Sequence, residues 1–244
     1  MKVVGALAFA AIAFATASCG GSGDSSDNSS AQRSIQAEAQ QRAEAINLVL
    51  SDFPQGWRAS PPEDDDSGKD FRKCIGVDFS ATTITGEADS KDFANEDTTQ
   101  ASSSSTIFAS EDEASASLSE EAEGMESAAA EDCFRKLLED EFSNEDRKNF
   151  EISDIDVGEL NVTAPANAVD ETHAWQIAIT IDVKSGEAKG ASVTAYADLS
   201  TVRSGDAIAE LFTYDVLTAF DAELRTELLN VLAGRLTNPT STQD

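Results

Sequence analysis

The sequence predicts an α+β domain with helices packed on one side of an antiparallel sheet. Between residues 173 and 183, Trp175, Ile177, Ile179, Ile181 and Val183 alternate with Gln176, Thr180 and Asp182, the period-two pattern of a strand with one buried face. Segments 111–125, 128–142 and 219–236 instead carry apolar residues at helical spacing. The order of elements, a helix, strands, two helices, a run of strands and a final helix, is that of an α+β domain.

The chain opens with Lys2 and an apolar run through Val3, Val4, Leu7, Phe9, Ile12 and Phe14, too short to span a bilayer as a mature helix. Residues 1–18 therefore read as a secretory leader. Thr16-Ala17-Ser18-Cys19 resembles the lipobox, in which the cysteine receives a diacylglycerol and becomes the first residue. An ordinary cleaved leader is the alternative. Lipidation of Cys19 implies a protein held on the outer face of the cytoplasmic membrane or in the cell envelope, because two acyl chains suffice for stable anchoring.

Residues 19–34 are polar and rich in Ser and Gly, which predicts a flexible linker. A single α+β domain over 35–238 and a frayed tail over 239–244 complete the organisation. Good helix formers over 35–50 predict a first helix, with a strand beginning at Leu48, Val49 and Leu50 as the alternative, ended by Ser51, Asp52, Pro54 and Gly56 before Trp57, which is placed at the domain edge. The acidic loop 60–70 contains Asp64-Asp65-Asp66. Aligning Gly68 with the turn glycine of an EF-hand puts Glu63 first and Cys74 twelfth, where a glutamate is required, so the calcium template fails and no metal site is assigned.

Short apolar alternation from Cys74 to Phe93, and again over 103–109, predicts strands. Two amphipathic helices follow, with Ala114, Leu118, Ala122 and Met125 on the first and Cys133, Phe134, Leu137, Leu138 and Phe142 on the second. Strand candidates are 150–152, 155–157 and 173–183. Segments 193–202 and 207–214 flank Ser204-Gly205 as a hairpin. The closing helix turns Phe220, Leu224, Leu228, Val231, Leu232 and Leu236 toward the sheet, with Glu223, Arg225 and Glu227 toward water.

With 46 acidic against 17 basic side chains, a net charge of −29 makes nucleic acid and anionic lipid repulsive partners. Hydrophobic content of 40% still supplies a core, so the acidity belongs to the surface. Setting Cys19 aside leaves Cys74 and Cys133, which match no zinc or CxxC spacing and are expected to pair in an oxidising compartment. Closing that loop stabilises a fold by roughly 4 kcal/mol. A reactive thiol served by His173, the single histidine, is the alternative.

Ser51-Asp52-Phe53-Pro54-Gln55-Gly56-Trp57, Cys74-Ile75-Gly76-Val77, the segment 86–93, Cys133 and the stretch from Tyr196 through Val202-Arg203-Ser204-Gly205-Asp206 together resemble actinobacterial exported sensor-type domains. These are the extracellular domains of PknH-like receptor kinases and LpqN-like lipoproteins. The resemblance covers about residues 45–236. It implies a PsbP-like α/β sandwich acting as a ligand-binding or sensory module, and it brings no catalytic residues.

None arises independently. Ser102-Ser103-Ser104-Ser105 lacks the nucleophile-elbow pattern, and Gly20-Gly21-Ser22-Gly23 lies in the linker rather than between a strand and a helix. The expectation is therefore a non-enzymatic module without a cofactor. In one form an apolar pocket takes a lipid or other envelope-derived amphiphile, with Trp175 and Phe212 among its lining. In the other the core is filled and the acidic surface docks a cationic or envelope partner.

Overall fold

The computed structural model describes residues 28–62, 67–77, 82–95, 98–141, 146–163 and 169–238. Along them run α1 (Asn28–Ile46), β1 (Arg58–Ser60), α2 (Ser67–Cys74), β2 (Ile84–Asp89), β3 (Asp92–Asn95), β4 (Thr99–Phe108), α3 (Glu111–Met125) and α4 (Ala129–Glu141). There follow α5 (Asp146–Asn149), β5 (Phe150–Glu159), β6 (Glu171–Val183), β7 (Ser192–Ser204), β8 (Ala207–Val216) and α6 (Ala222–Thr237). The expected leader with Cys19, the run Asp64-Asp65-Asp66 and the tail 239–244 lie outside the described residues.

One antiparallel eight-stranded sheet has the order β1-β3-β4-β8-β7-β6-β5, with β2 pairing the far end of β4. This is the α+β class that the alternation predicts. The helices, however, cover both faces rather than one. In β8, Ala207, Ala209 and Leu211 point one way and Ile208, Phe212 and Tyr214 the other, and each set packs against apolar neighbours. A strand apolar on both sides needs two covers.

On one face Ala39, Ala43 and Ile46 of α1 and Leu228, Leu229, Leu232 and Leu236 of α6 close over Ala101, Ile107, Val202 and Leu211. Each large side chain buried in this way stabilises the fold by about 1.5 to 3 kcal/mol. On the other face Phe71 and Ile75 join Phe134 and Leu138 of α4 over Ile152, Trp175, Ile177, Ile179 and Ala197. Ala114 and Leu118 of α3 meet Phe108 and Ile208 on this same side. Phe53, Trp57, Phe93 and Phe220 form a chain of ring contacts, with centroids 4.4 to 6.2 Å apart, and Trp57, expected at the domain edge, is buried in this core just before β1.

Several local outcomes differ from the sequence reading. Helix α1 begins inside the expected linker, because no Gly or Pro separates Asn28 from the packed end at Ala39–Ile46 and a helix held at one end propagates at little cost. Cys74 ends helix α2 instead of opening a strand. The candidates 150–152 and 155–157 are one strand, β5, with an irregularity between Ile152 and Asp154. Gly86 of β2 is required: a Cβ there would stand 2.4 Å from the carbonyl carbon of Ala39, so α1 can lie on β2 only over a glycine.

Cys74 and Cys133 form a disulfide, with Cα atoms 5.8 Å apart. It joins the exposed C-terminal end of α2 to the buried face of α4. Among the described residues no helix is long and apolar enough to cross a membrane.

Candidate functional site

The cleft begins with β4. In Thr99–Phe108 four consecutive serines alternate between the two faces of the sheet. Ser103 and Ser105 point toward α1, where the Ser103 hydroxyl accepts from Leu48 N at 2.9 Å and donates to Asn47 Oδ1 at 3.1 Å, and Ser105 donates to the Ala43 carbonyl at 2.7 Å. Ser102 and Ser104 point the other way, in register with Phe212 and Glu210 of β8. Side chains this small leave room above the sheet.

That room is a cleft enclosing about 670 Å³, its open mouth included. Phe71, Phe134, Leu199 and Phe212 make its apolar walls, and Ser102, Ser104, Arg72, Glu121 and Glu210 supply polar groups. Phe71 and Phe134 lie with ring centroids 4.1 Å apart, so one wall is the seam between α2 and α4. Only a small part of that volume is open to water-sized groups. Such a shape suits a compact head group better than an acyl chain.

Two carboxylates converge there on one nitrogen. Arg72 Nη2 donates to Glu210 Oε1 and stands 3.8 Å from Glu121 Oε2. Glu210 is 5% exposed, and its second oxygen, Oε2, has no hydrogen-bond partner among the described residues. A buried acceptor without a donor costs about 1 to 3 kcal/mol, more when it is charged. Glu121, also 5% exposed, makes no hydrogen bond among the described residues. Burial first, and then the charge of Glu210, push its carboxyl up to about 7 against the opposing pull of Arg72. At neutral pH the Glu121 proton is thus poised to leave.

Arg203 organises the neighbouring end of the same face. Its Nη2 donates to Glu171 Oε1 at 2.9 Å and its Nη1 to the Gly205 carbonyl at 2.9 Å, while Ser115 donates to Glu171 at 2.9 Å. Burial alone would raise the Glu171 pKa, but the hydrogen bonds from Arg203 and Ser115 outweigh it and hold the carboxyl below its ordinary value. These contacts tie the β7–β8 turn to α3, with Arg203 Nε alone left without a partner among the described residues.

Of the two aromatics expected to line a ligand pocket, Phe212 borders this cleft. Trp175 does not: it is 3% exposed, packs in the core beneath α4, and stacks on His173 with ring centroids 5.8 Å apart. The two aromatics separate because β6 is two strands away from β8. Arg225, expected in water, is buried beneath α6, where it donates to Asp198. The groups that sequence reasoning missed are Arg72, Glu121 and Glu210. A signal existed for two of them: Glu210 is a lone charge in the apolar run 207–212, and Glu121 falls on the helical stripe shared by Leu118, Ala122 and Met125. No protein-family model, no curated protein and no solved structure matches this chain, so the cleft is interpreted from its own residues.

Proposed function

We propose that this protein is a non-catalytic binding module, held at the outer face of a membrane by a lipid on Cys19, that takes a small amphiphilic ligand in the cleft between α2, α3, α4 and the sheet. The observation that carries the reading is Glu210 Oε2, a buried, unpartnered carboxylate oxygen of a residue that lines a cleft with apolar walls. Folding leaves that oxygen short of a donor, which a ligand can supply. The reading agrees with the resemblance to exported sensor-type lipoprotein domains, in which the domain binds and the anchor only places it. Native mass spectrometry of the protein isolated from its own host tests it. A retained small molecule is the expected result, and a ligand-free spectrum counts against it.

The anchor has its own test. Cys19→Ala should leave an uncleaved precursor or a protein released from the membrane fraction; unchanged processing and fractionation would remove the lipid from the proposal.

A second reading has one observation in its favour. Glu111, Asp112, Glu120 and Glu123 of α3 and Glu131, Asp132, Glu139 and Asp140 of α4 are exposed, so one side of the molecule presents a field that attracts a cationic partner protein. Such docking would weaken steeply with salt and would ignore a substitution that fills the cleft.

A further inference from the structure

Resting on the binding-module reading, we propose that Glu121 and Glu210 together seat a cationic nitrogen, a primary ammonium carried on an apolar chain, which enters as Glu121 gives up its proton to solvent.

The geometry excludes the other head groups in turn. An anion would have to compete for Arg72, whose guanidinium is already held by Glu210. Among the described lining residues Arg72 is the one basic side chain, against Asp89, Asp92, Glu121 and Glu210. A neutral hydroxyl would satisfy Glu210 Oε2 but would leave the repulsion between the two glutamates in place. An ammonium does both, since it donates to Glu210 Oε2 and compensates the charge that Glu121 acquires on ionising. Ser102 and Ser104, whose hydroxyls make no hydrogen bond among the described residues, offer further acceptors. The apolar part of the ligand then lies along Phe71, Phe134, Leu199 and Phe212 toward the mouth.

Proton release follows from the groups around Glu121. It faces Arg72 from α2, Glu210 from β8, and Asp89 of β2 and Asp92 of β3 across the cleft; α4 and β7 contribute Phe134 and Leu199, which do not titrate. Burial and Glu210 keep its proton on to about pH 7 in the empty cleft. A cation seated between the two carboxyls lowers that affinity for the proton, so binding and ionisation are linked. The exchange is balanced: the O–H bond of Glu121 breaks, the proton goes to buffer, and the ligand keeps its own charge.

The test is an amide-resolved NMR titration of the full chain with n-hexylammonium, n-hexanol and hexanoate at pH 6 and pH 8. The expected result is hexylammonium shifting the amides around Ser104, Glu210 and Phe212, with affinity about tenfold higher at pH 8 than at pH 6. Hexanol should bind more weakly and without pH dependence, and hexanoate should not bind. Glu121→Gln should make hexylammonium affinity independent of pH, and Glu210→Gln should abolish binding. Ser104→Leu, which fills the cleft while keeping both carboxyls, should also abolish it, and each variant's amide spectrum reports whether it is folded. Hexanol matching hexylammonium, hexanoate binding more tightly, a pH ratio that survives Glu121→Gln, or silence from all three probes would each overturn the inference. Hexanol or hexanoate seated in the cleft would overturn it while leaving the binding-module reading intact. A silent cleft together with a ligand-free native mass spectrum would sink both.

Discussion

Two buried arginine–carboxylate pairs sit on opposite faces of the central strands, and they differ in how completely they are satisfied. Beneath α6, Asp198 Oδ1 accepts from Gln176 at 2.9 Å, and Oδ2 accepts from Arg225 and, at 3.4 Å, from Thr213. Gln176, Asp198 and Thr213 are register partners across β6, β7 and β8, so the sheet itself presents the row to the helix. On the cleft face, Arg72 meets Glu210 and Glu121 with one carboxylate oxygen unpartnered and one carboxyl left without a hydrogen bond. Similar ingredients leave both oxygens of the Asp198 carboxylate partnered in one place, though Arg225 Nε is not, and a carboxylate oxygen unpartnered in the other. What separates them is the count of donors per acceptor, since an unfilled buried acceptor is kept only at a cost in stability.

The largest effect should come from breaking the closed pair. Asp198→Ala leaves Arg225 buried without its counter-charge and should lower stability by about 3 to 5 kcal/mol in chemical denaturation. Binding in the cleft by whatever folded protein remains should be unchanged. If the loss is below about 1 kcal/mol, the pair beneath α6 is not the structural member of the comparison.

Replacing Cys74 and Cys133 together by Ser should cost about 2 to 5 kcal/mol. The bond joins α2 to α4, the two helices whose Phe71 and Phe134 form the cleft wall, so the damage should fall on one face of the molecule. Hydrogen exchange should quicken first in residues 71–77, while the amides of α6 keep their protection. Uniform acceleration across both faces would show that the disulfide supports the whole fold rather than the cleft side.

The smallest of the three effects depends on pH. Because the Glu121 pKa is higher folded than unfolded, its contribution favours the folded state fully below about pH 4.5 and is lost as pH rises through about 7. That swing amounts to about 3 kcal/mol at most. Glu171, held low, has the opposite sign: its contribution is present at neutral pH and fades on acidification. Melting curves of the wild type and Glu121→Gln between pH 5 and 8 should therefore diverge, the variant falling less as pH rises. Parallel curves would remove Glu121 from the proton-linked pair.

The parts of the fold decided by local periodicity were legible in the sequence. Helix α3 spans Glu111–Met125 as its apolar spacing predicts, and the hairpin of β7 and β8 turns at Gly205-Asp206, one residue on from the expected Ser204-Gly205, with Gly205 at a positive φ of 59°. Capping is local too: Ser110 accepts from Glu113 N and Asp221 from Glu223 N and Leu224 N. What could not be read is the burial of charge, because it depends on partners distant along the chain. Arg72 and Glu210 are 138 residues apart, and Arg225 looked like any solvent-facing helix arginine until Asp198 was placed beneath it. Glu121 was hidden for a different reason. In so acidic a helix one more glutamate carries no contrast, and only its position on the stripe of Leu118 and Met125 marks it.

The four serines of β4 have a consequence for how the sheet is assembled. Shifting β4 by one residue against β8 exchanges serine for serine at the centre, so the middle of the strand does not distinguish the native register from its neighbour. Discrimination falls to the ends, where Ala101 and Ile107 must face α1 and α6 while Phe108 faces α3. The strand with the most partners in the sheet therefore carries its alignment information at its two tips, and the smooth stretch between them is the part left free to form the floor of a cleft.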